Sequence, residues 1–269
     1  MSSDLASKPV PRWRWWVHFS LLTLCPMVAL LRPAVVEGSA DKPLLPPTVS
    51  GLLETAAANL AVFGAIVGIA LFFSRAGVDD LLIRWRRGIR PILLGAAYSV
   101  LLRVALLIMV MGVMIVIIAA RGAPAAQAIA EKMRPETTRL ISPSALTGDP
   151  VYLGLCLTLV SFVVAGLREE LWRIGVICGA LKLLEPGITG RMAQILAVLF
   201  SSVLFGLAHF PQGWGAIAMT TVLGLGFSLM MIFHRSIWEA VFAHGFFDAT
   251  TFLMIYLLVK YFPGKIPGF

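Results

Sequence analysis

Long apolar runs separated by short polar breaks dominate the 269-residue chain. A polar, basic stretch from Met1 to Arg14 leads into an apolar run from Trp15 to Leu31, with Trp13, Trp15 and Trp16 at its start. Further runs extend from Gly51 to Phe73 and from Pro91 to Ala120. A polar interruption, Arg121 to Pro150, follows; Pro124, Pro135 and Pro143 speak against any continuous helix there. Four more runs then stand at Val151 to Leu184, Met192 to Phe210, Trp214 to Phe233 and Ile237 to Tyr261. Their breaks are Glu185-Pro186-Gly187, Pro211-Gln212-Gly213 and His234-Arg235-Ser236. About 20 helical residues cover the hydrocarbon core of a bilayer, so runs of this length read as membrane-spanning helices. Val151 to Leu184 is too long for one untilted crossing. It is either one tilted helix or two shorter segments meeting near its middle, giving seven or eight spans respectively. The pattern predicts an all-α, polytopic transmembrane helical bundle. Ala125 to Met133 reads equally as a short helix in the interface or as loop.

Composition agrees with the pattern. Hydrophobic residues make up 59% of the chain and charged residues 13%, whereas a soluble domain carries about 25% charged residues. A water-soluble enzyme and a nucleic-acid binder are thereby excluded, in spite of the net charge of +8 and a pI of about 9.9. The basicity falls mainly in loops. Arg75, Arg84, Arg86, Arg87 and Arg90 form the densest positive cluster, and positive loops accumulate on the cytoplasmic side. That loop and the N-terminus, with Lys8, Arg12 and Arg14, are expected inside a multi-pass protein of the cell membrane. Gly38-Ser39-Ala40 could pass for a signal-peptide cleavage site. An uncleaved first span is preferred, because the rest of the chain is membrane-embedded too. The organisation expected is a basic cytoplasmic tail (1–14), N-terminal spans and loops (15–149), a second helical bundle (150–261) and a C-terminal tail (262–269). Cys25, Cys156 and Cys178 each lie in an apolar run without metal-ligand spacing and read as buried thiols.

The second bundle carries ionisable residues that an apolar run does not need: Arg168, Glu169, Glu170, Arg173, Lys182, His209, Glu239, His244 and Asp248. A charge in the bilayer core costs roughly 2.5 to 3.5 kcal/mol on insertion scales, so such residues face the bundle interior, pair, and mark a functional site by default. Lys182 and Glu239 lie near helix ends, where snorkelling or interface solvation accounts for them. Arg103, within the third span, reads as interhelical pairing or as an arginine snorkelling from a tilted helix. Glu169 and Glu170 stand four and three residues before Arg173, so either can share its helix face. Adjacent residues point about 100° apart on a helix; one glutamate can therefore pair while the other faces a different helix. His244 and Asp248 are one turn apart, and an Asp accepting from a His N–H would fix its tautomer. His209 closes the run Phe205 to His209. Each group alone has a structural explanation: a buried ion pair, a satisfied interface histidine, a structural His–Asp pair. Together on nearby runs they point to one polar intramembrane cavity.

These three groups, in this order, resemble the CAAX prenyl protease 2 type of intramembrane peptidases, also called the CAAX protease and bacteriocin-processing (CPBP, or Abi) family. That family carries Glu-Glu-x-x-x-Arg, then Phe-x-x-x-His, then His-x-x-x-Asn or His-x-x-x-Asp on successive transmembrane helices. Glu169-Glu170-Leu171-Trp172-Arg173, Phe205 to His209 and His244 to Asp248 stand in the same order. The resemblance covers about Val151 to Leu258, and Gly224-Leu225-Gly226 to Asp248 reads like the last motif region. One spacing departs from the pattern. Only Leu171 and Trp172 separate the second glutamate from Arg173, and Ile174 occupies the usual Arg position. One helical turn still brings Arg173 to a glutamate, so a variant of the ion pair is expected.

The resemblance implies an intramembrane endopeptidase, without cofactor, hydrolysing a peptide bond of a membrane-associated protein or peptide by an activated water and without an acyl-enzyme. It implies Glu169 as general base, His209 holding and polarising the water, His244 and Asp248 stabilising the oxyanion, and Glu170 with Arg173 as the structural pair. Asp248 can donate only if protonated; otherwise it would orient His244 as the single donor. Two alternatives stand beside this. Glu, two His and Asp are suitable zinc ligands, although no His-Glu-x-x-His occurs. A catalytically silent scaffold, immunity or chaperone protein would keep the cavity for a partner. The partners expected are the substrate and the lipid bilayer, with no nucleic acid.

Overall fold

Proline and capping residues set where the helices begin. In the computed structural model, which describes residues 10–35, 43–85, 88–185, 187–188 and 190–262, α1 runs Arg12–Val35, α2 Val49–Ser74 and α3 Arg90–Arg121. Lys8, Gly38-Ser39-Ala40, Arg86, Arg87 and Pro186 lie outside the described residues. Thr48 caps α2 by accepting from the Gly51 N–H at 3.2 Å, and Arg75 closes it in the left-handed region at φ 55°. The polar interruption contains two short helices, α4 (Ala123–Lys132) and α5 (Pro143–Gly148). Pro124 and Pro143 stand in their first turns, where the missing N–H leaves no bond unmade. Those prolines divide the segment into helices instead of keeping it irregular.

The run beginning at Pro150 is continuous to Leu184 over 35 residues. It comprises α6 (Pro150–Leu155), a π-helical segment Cys156–Leu167 and α7 (Arg168–Leu184). Asp149 caps α6 by accepting from the Val151 and Tyr152 N–H groups. The Ser161 hydroxyl donates to the Cys156 carbonyl five residues back, at 2.7 Å. The helix thus runs without a break into the charged stretch that opens α7. By length and composition this run counts as one candidate span. Completing the bundle are α8 (Gly190–Ala208), α9 (Trp214–His234) and α10 (Trp238–Tyr261). No strand occurs among the described residues. Six helices there are long and apolar enough to cross a membrane, and the chain is a multi-pass membrane protein.

The shorter apolar stretch in α1 is not one of the six, yet α1 is built into the bundle. Buried His18 places Nε2 3.0 Å from the Gly175 carbonyl and Nδ1 3.3 Å from that of Ala70. Trp172 Nε1 donates to the Leu22 carbonyl at 2.8 Å. The π segment lies against α10 through small residues that let helix backbones approach. A Cβ on Gly166 would stand 2.8 Å from the Val241 carbonyl oxygen, and one on Gly245 would run into the Phe162 ring. Arg103 is not a snorkelling arginine. It donates to the Phe247 carbonyl and the Thr250 hydroxyl, both at 2.7 Å, and to Thr251 at 3.2 Å, with its guanidinium 4.2 Å over the Phe247 ring. It pins α3 to α10.

At one end of the bundle the α2–α3 loop folds over the start of α10. The Ile237 N–H donates to the Leu82 carbonyl at 3.1 Å and Trp238 Nε1 to that of Ile83 at 2.9 Å. Glu239, in the covered first turn, is therefore fully buried, contrary to the solvation expected of a helix end. Lys182 stays half-exposed beside Asp80 at 3.8 Å. All three cysteines are free; Cys156 and Cys178 are buried and Cys25 is half-buried.

Candidate active site

The first turns of α7 separate two neighbouring carboxylates. Glu170 and Arg173 have no exposed side-chain surface. Arg173 Nε donates to Glu170 Oε2 at 2.8 Å and Nη2 donates to Oε1 at 3.2 Å. The expected variant ion pair thus closes within one turn, across the shortened spacing. The guanidinium lies 4.0 Å above the Phe205 ring centroid, an arrangement favourable to a desolvated cation. Nη1 has no hydrogen-bond partner among the described residues. Gly224 makes the space for it: a Cβ there would stand 2.9 Å from Nη1 and 3.0 Å from Phe205.

His244 Nδ1 lies 2.7 Å from Glu170 Oε1. An ionised carboxylate only accepts, so Nδ1 carries the proton. The ring stacks on Phe227 at 4.7 Å with 15° between planes. Its Nε2 faces two other carboxylates, Asp248 Oδ2 at 3.6 Å and Glu169 Oε2 at 3.9 Å. Both distances exceed a hydrogen bond. Glu170, and not Asp248, holds the histidine's tautomer.

Glu169 turns the other way, with 20% of its side chain exposed and Arg168 donating to Oε1 at 2.6 Å. Electrostatically it also interacts with His209. His209 donates from Nδ1 to the Phe205 carbonyl at 2.8 Å, which leaves Nε2 free of that bond. The two histidines, on different helices, meet around one ring. Phe205 touches both, 4.7 Å from His209 and 6.0 Å from His244 between ring centroids. Asp248, on the far side of His244, interacts electrostatically with Arg103. All six expected residues therefore gather at one place. Among the described residues, no three His, Cys, Asp or Glu side chains are placed to hold a metal ion.

Residues 151–250 match the family model described as Type II CAAX prenyl endopeptidase Rce1-like. That match supports a likeness of this segment to the CAAX protease family. No curated protein and no solved structure matches the chain. The matched segment holds Glu169, Glu170, Arg173, His209, His244 and Asp248, together with the aromatic rings around them. Arg103 and His18 come from helices outside it.

Several contributors carried little signal in the sequence. Arg168 stood out as a charge but not as the partner of Glu169. Phe227 is one apolar residue in an apolar run, and nothing marks it as the ring beneath His244. Gly224 lay within the motif region, without an indication that its missing side chain admits a guanidinium. The charge of Arg103 was visible; its target on α10 was not.

Proposed function

We propose that this protein is an intramembrane endopeptidase in which Glu169 activates a water to hydrolyse a peptide bond of a membrane-associated substrate. The observation that carries this reading is the divergence of the two glutamates. Glu170 is consumed by Arg173 and His244 in a fully buried network, whereas Glu169 Oε2 opens toward His244 Nε2, 3.9 Å away. A single water can lie within hydrogen-bonding distance of both atoms. Geometry of that kind is the first requirement of a general base.

In this mechanism the water gives a proton to Glu169 as its oxygen attacks the scissile carbonyl carbon, and the carbonyl electron pair moves onto oxygen. His209 helps hold the water. His244 donates from Nε2 to the oxyanion in its imidazolium form, Nδ1 remaining bonded to Glu170, and Asp248 balances the imidazolium charge. Collapse of the tetrahedral intermediate breaks the C–N bond while Glu169 returns the proton to the leaving amine. No covalent enzyme intermediate forms. The loop with Arg75, Arg84 and Arg90 faces the cytoplasm in this reading, and so does the N-terminus.

The test is Glu169→Gln in purified, reconstituted protein, against a panel of membrane-anchored peptides with and without prenyl groups. Turnover should fall about 100- to 10,000-fold, the usual contribution of general-base catalysis. Unchanged turnover removes the glutamate mechanism. A folded wild type that cleaves no peptide but retains a co-purifying partner supports the scaffold reading instead. Activity that disappears on chelation and returns with zinc supports the metalloprotease.

A further inference from the structure

At the end of the bundle covered by the α2–α3 loop, a cavity of about 360 Å³ is lined by Asp79, Arg84, Pro91, His234, Arg235 and Ser236, among others. Beside it, between α3 and α9, a groove of about 410 Å³ runs along Tyr98, Gly226, Leu229, Met230 and Phe233. The two meet at His234, which lines both. That histidine is buried, with Nε2 2.9 Å from the Tyr98 hydroxyl. The groove is open to the bilayer side: Phe233 is 82% exposed and Leu229 53%. A polar chamber at the helix ends therefore adjoins an apolar groove, with His234 as their common wall.

Charge in the chamber is unevenly matched. Arg84 is engaged by Asp79 at 2.7 Å. Arg235, exposed and held at φ 50°, has no hydrogen-bond or ion-pair partner among the described residues. The Ser236 oxygen accepts from the Trp238 N–H at 3.2 Å, which leaves its own hydrogen to donate. One guanidinium and one hydroxyl thus stand ready for an anion. A guanidinium is suited to phosphate because its donors match two oxygens at once.

The geometry points to a binding site for one anionic phospholipid of the surrounding leaflet, its phosphate against Arg235 and Ser236 and one acyl chain in the α3–α9 groove. The groove faces hydrocarbon, so an acyl chain is its natural occupant, and the unmatched charge at its head favours a lipid of opposite sign. Basic pockets between transmembrane helices select acidic headgroups on the same principle. The site shares no lining residue with the Glu169 and Glu170 cluster and does not rest on the peptidase reading.

Native mass spectrometry of the full chain in neutral detergent, titrated with phosphatidylglycerol or with phosphatidylcholine of identical acyl chains, tests it. Phosphatidylglycerol should be retained and phosphatidylcholine lost. Arg235→Gln should weaken phosphatidylglycerol about tenfold, the size of one charge-assisted hydrogen bond, while Arg235→Lys should keep most of the preference. Glycerol phosphate, the headgroup without tails, should fail to compete. Equal retention of the two lipids by the wild type overturns the proposal, a result that needs no variant to fold. Undiminished binding by Arg235→Gln overturns it too. Competition by glycerol phosphate would make this a free-phosphate site and not a lipid site.

Discussion

On one face of the first turn of α7, Glu170 and Arg173 are closed off from all solvent; on the other, Glu169 and Arg168 keep side-chain exposures of 20% and 26%. Both faces carry a carboxylate and a guanidinium at hydrogen-bonding distance. The inner pair also binds His244 and lies against Phe205, so neither partner can be removed without leaving a desolvated charge. The outer pair is partly screened and each member can exchange its partner. One helical turn therefore separates a fixed electrostatic support from a carboxylate whose bonding can change, and the separation follows from burial alone.

The largest effect that would break or sharpen this comparison is expected on the outer face, in activity. Glu169→Gln should cost about 100- to 10,000-fold in turnover, while denaturation in detergent shows a stability change of only about 1 kcal/mol, as for a partly exposed ion pair. A large stability loss would mean that the outer carboxylate is structural as well. On the inner face, Arg173→Met should destabilise by about 3–5 kcal/mol, because Glu170 is left buried without its partner. Removing both charges, in Glu170→Leu/Arg173→Met, should recover much of that loss in the same measurement. Failure to recover would assign the cost to packing. Gly224→Ala should cost about 1–3 kcal/mol through overpacking, since the new Cβ would lie 2.9 Å from Arg173 Nη1; a neutral result would mean that the inner face has slack. The smallest effect is expected for Arg168→Gln, at most about 1 kcal/mol. A loss as large as that of Arg173→Met would erase the distinction between the faces.

Much of this arrangement is legible in the sequence. Glu169, Glu170, Arg173, His209, His244 and Asp248 stood out because charges in apolar runs are rare and costly, and their spacing placed them on one-turn pairs. The partners within one turn were accordingly foreseeable, as with Arg173 and Glu170. Partners across helices were not. Spacing pairs His244 with Asp248, yet its hydrogen bond goes to Glu170, which is 74 residues away in the chain. Glu239 sat near a helix end and was expected to meet solvent or lipid headgroups; the loop covering α10 buries it. Nothing in its local sequence marks His18, although it links α1 to two other helices.

The run lengths by themselves determined which segments become helices. In a bilayer each backbone N–H and C=O must find its partner within its own segment, and that is a local requirement which local sequence can express. Motif spacing likewise determined which charges share a helical turn. Tertiary structure alone decided which glutamate turns inward, which carboxylate holds His244, and that Arg103 from α3 reaches the turn bearing Asp248. Those outcomes depend on the rotation and offset of helices against one another, set by small residues such as Gly166, Gly224 and Gly245 and by the π-helical segment preceding α7. No short stretch of sequence contains that information, because each contact is formed by residues that the chain keeps far apart.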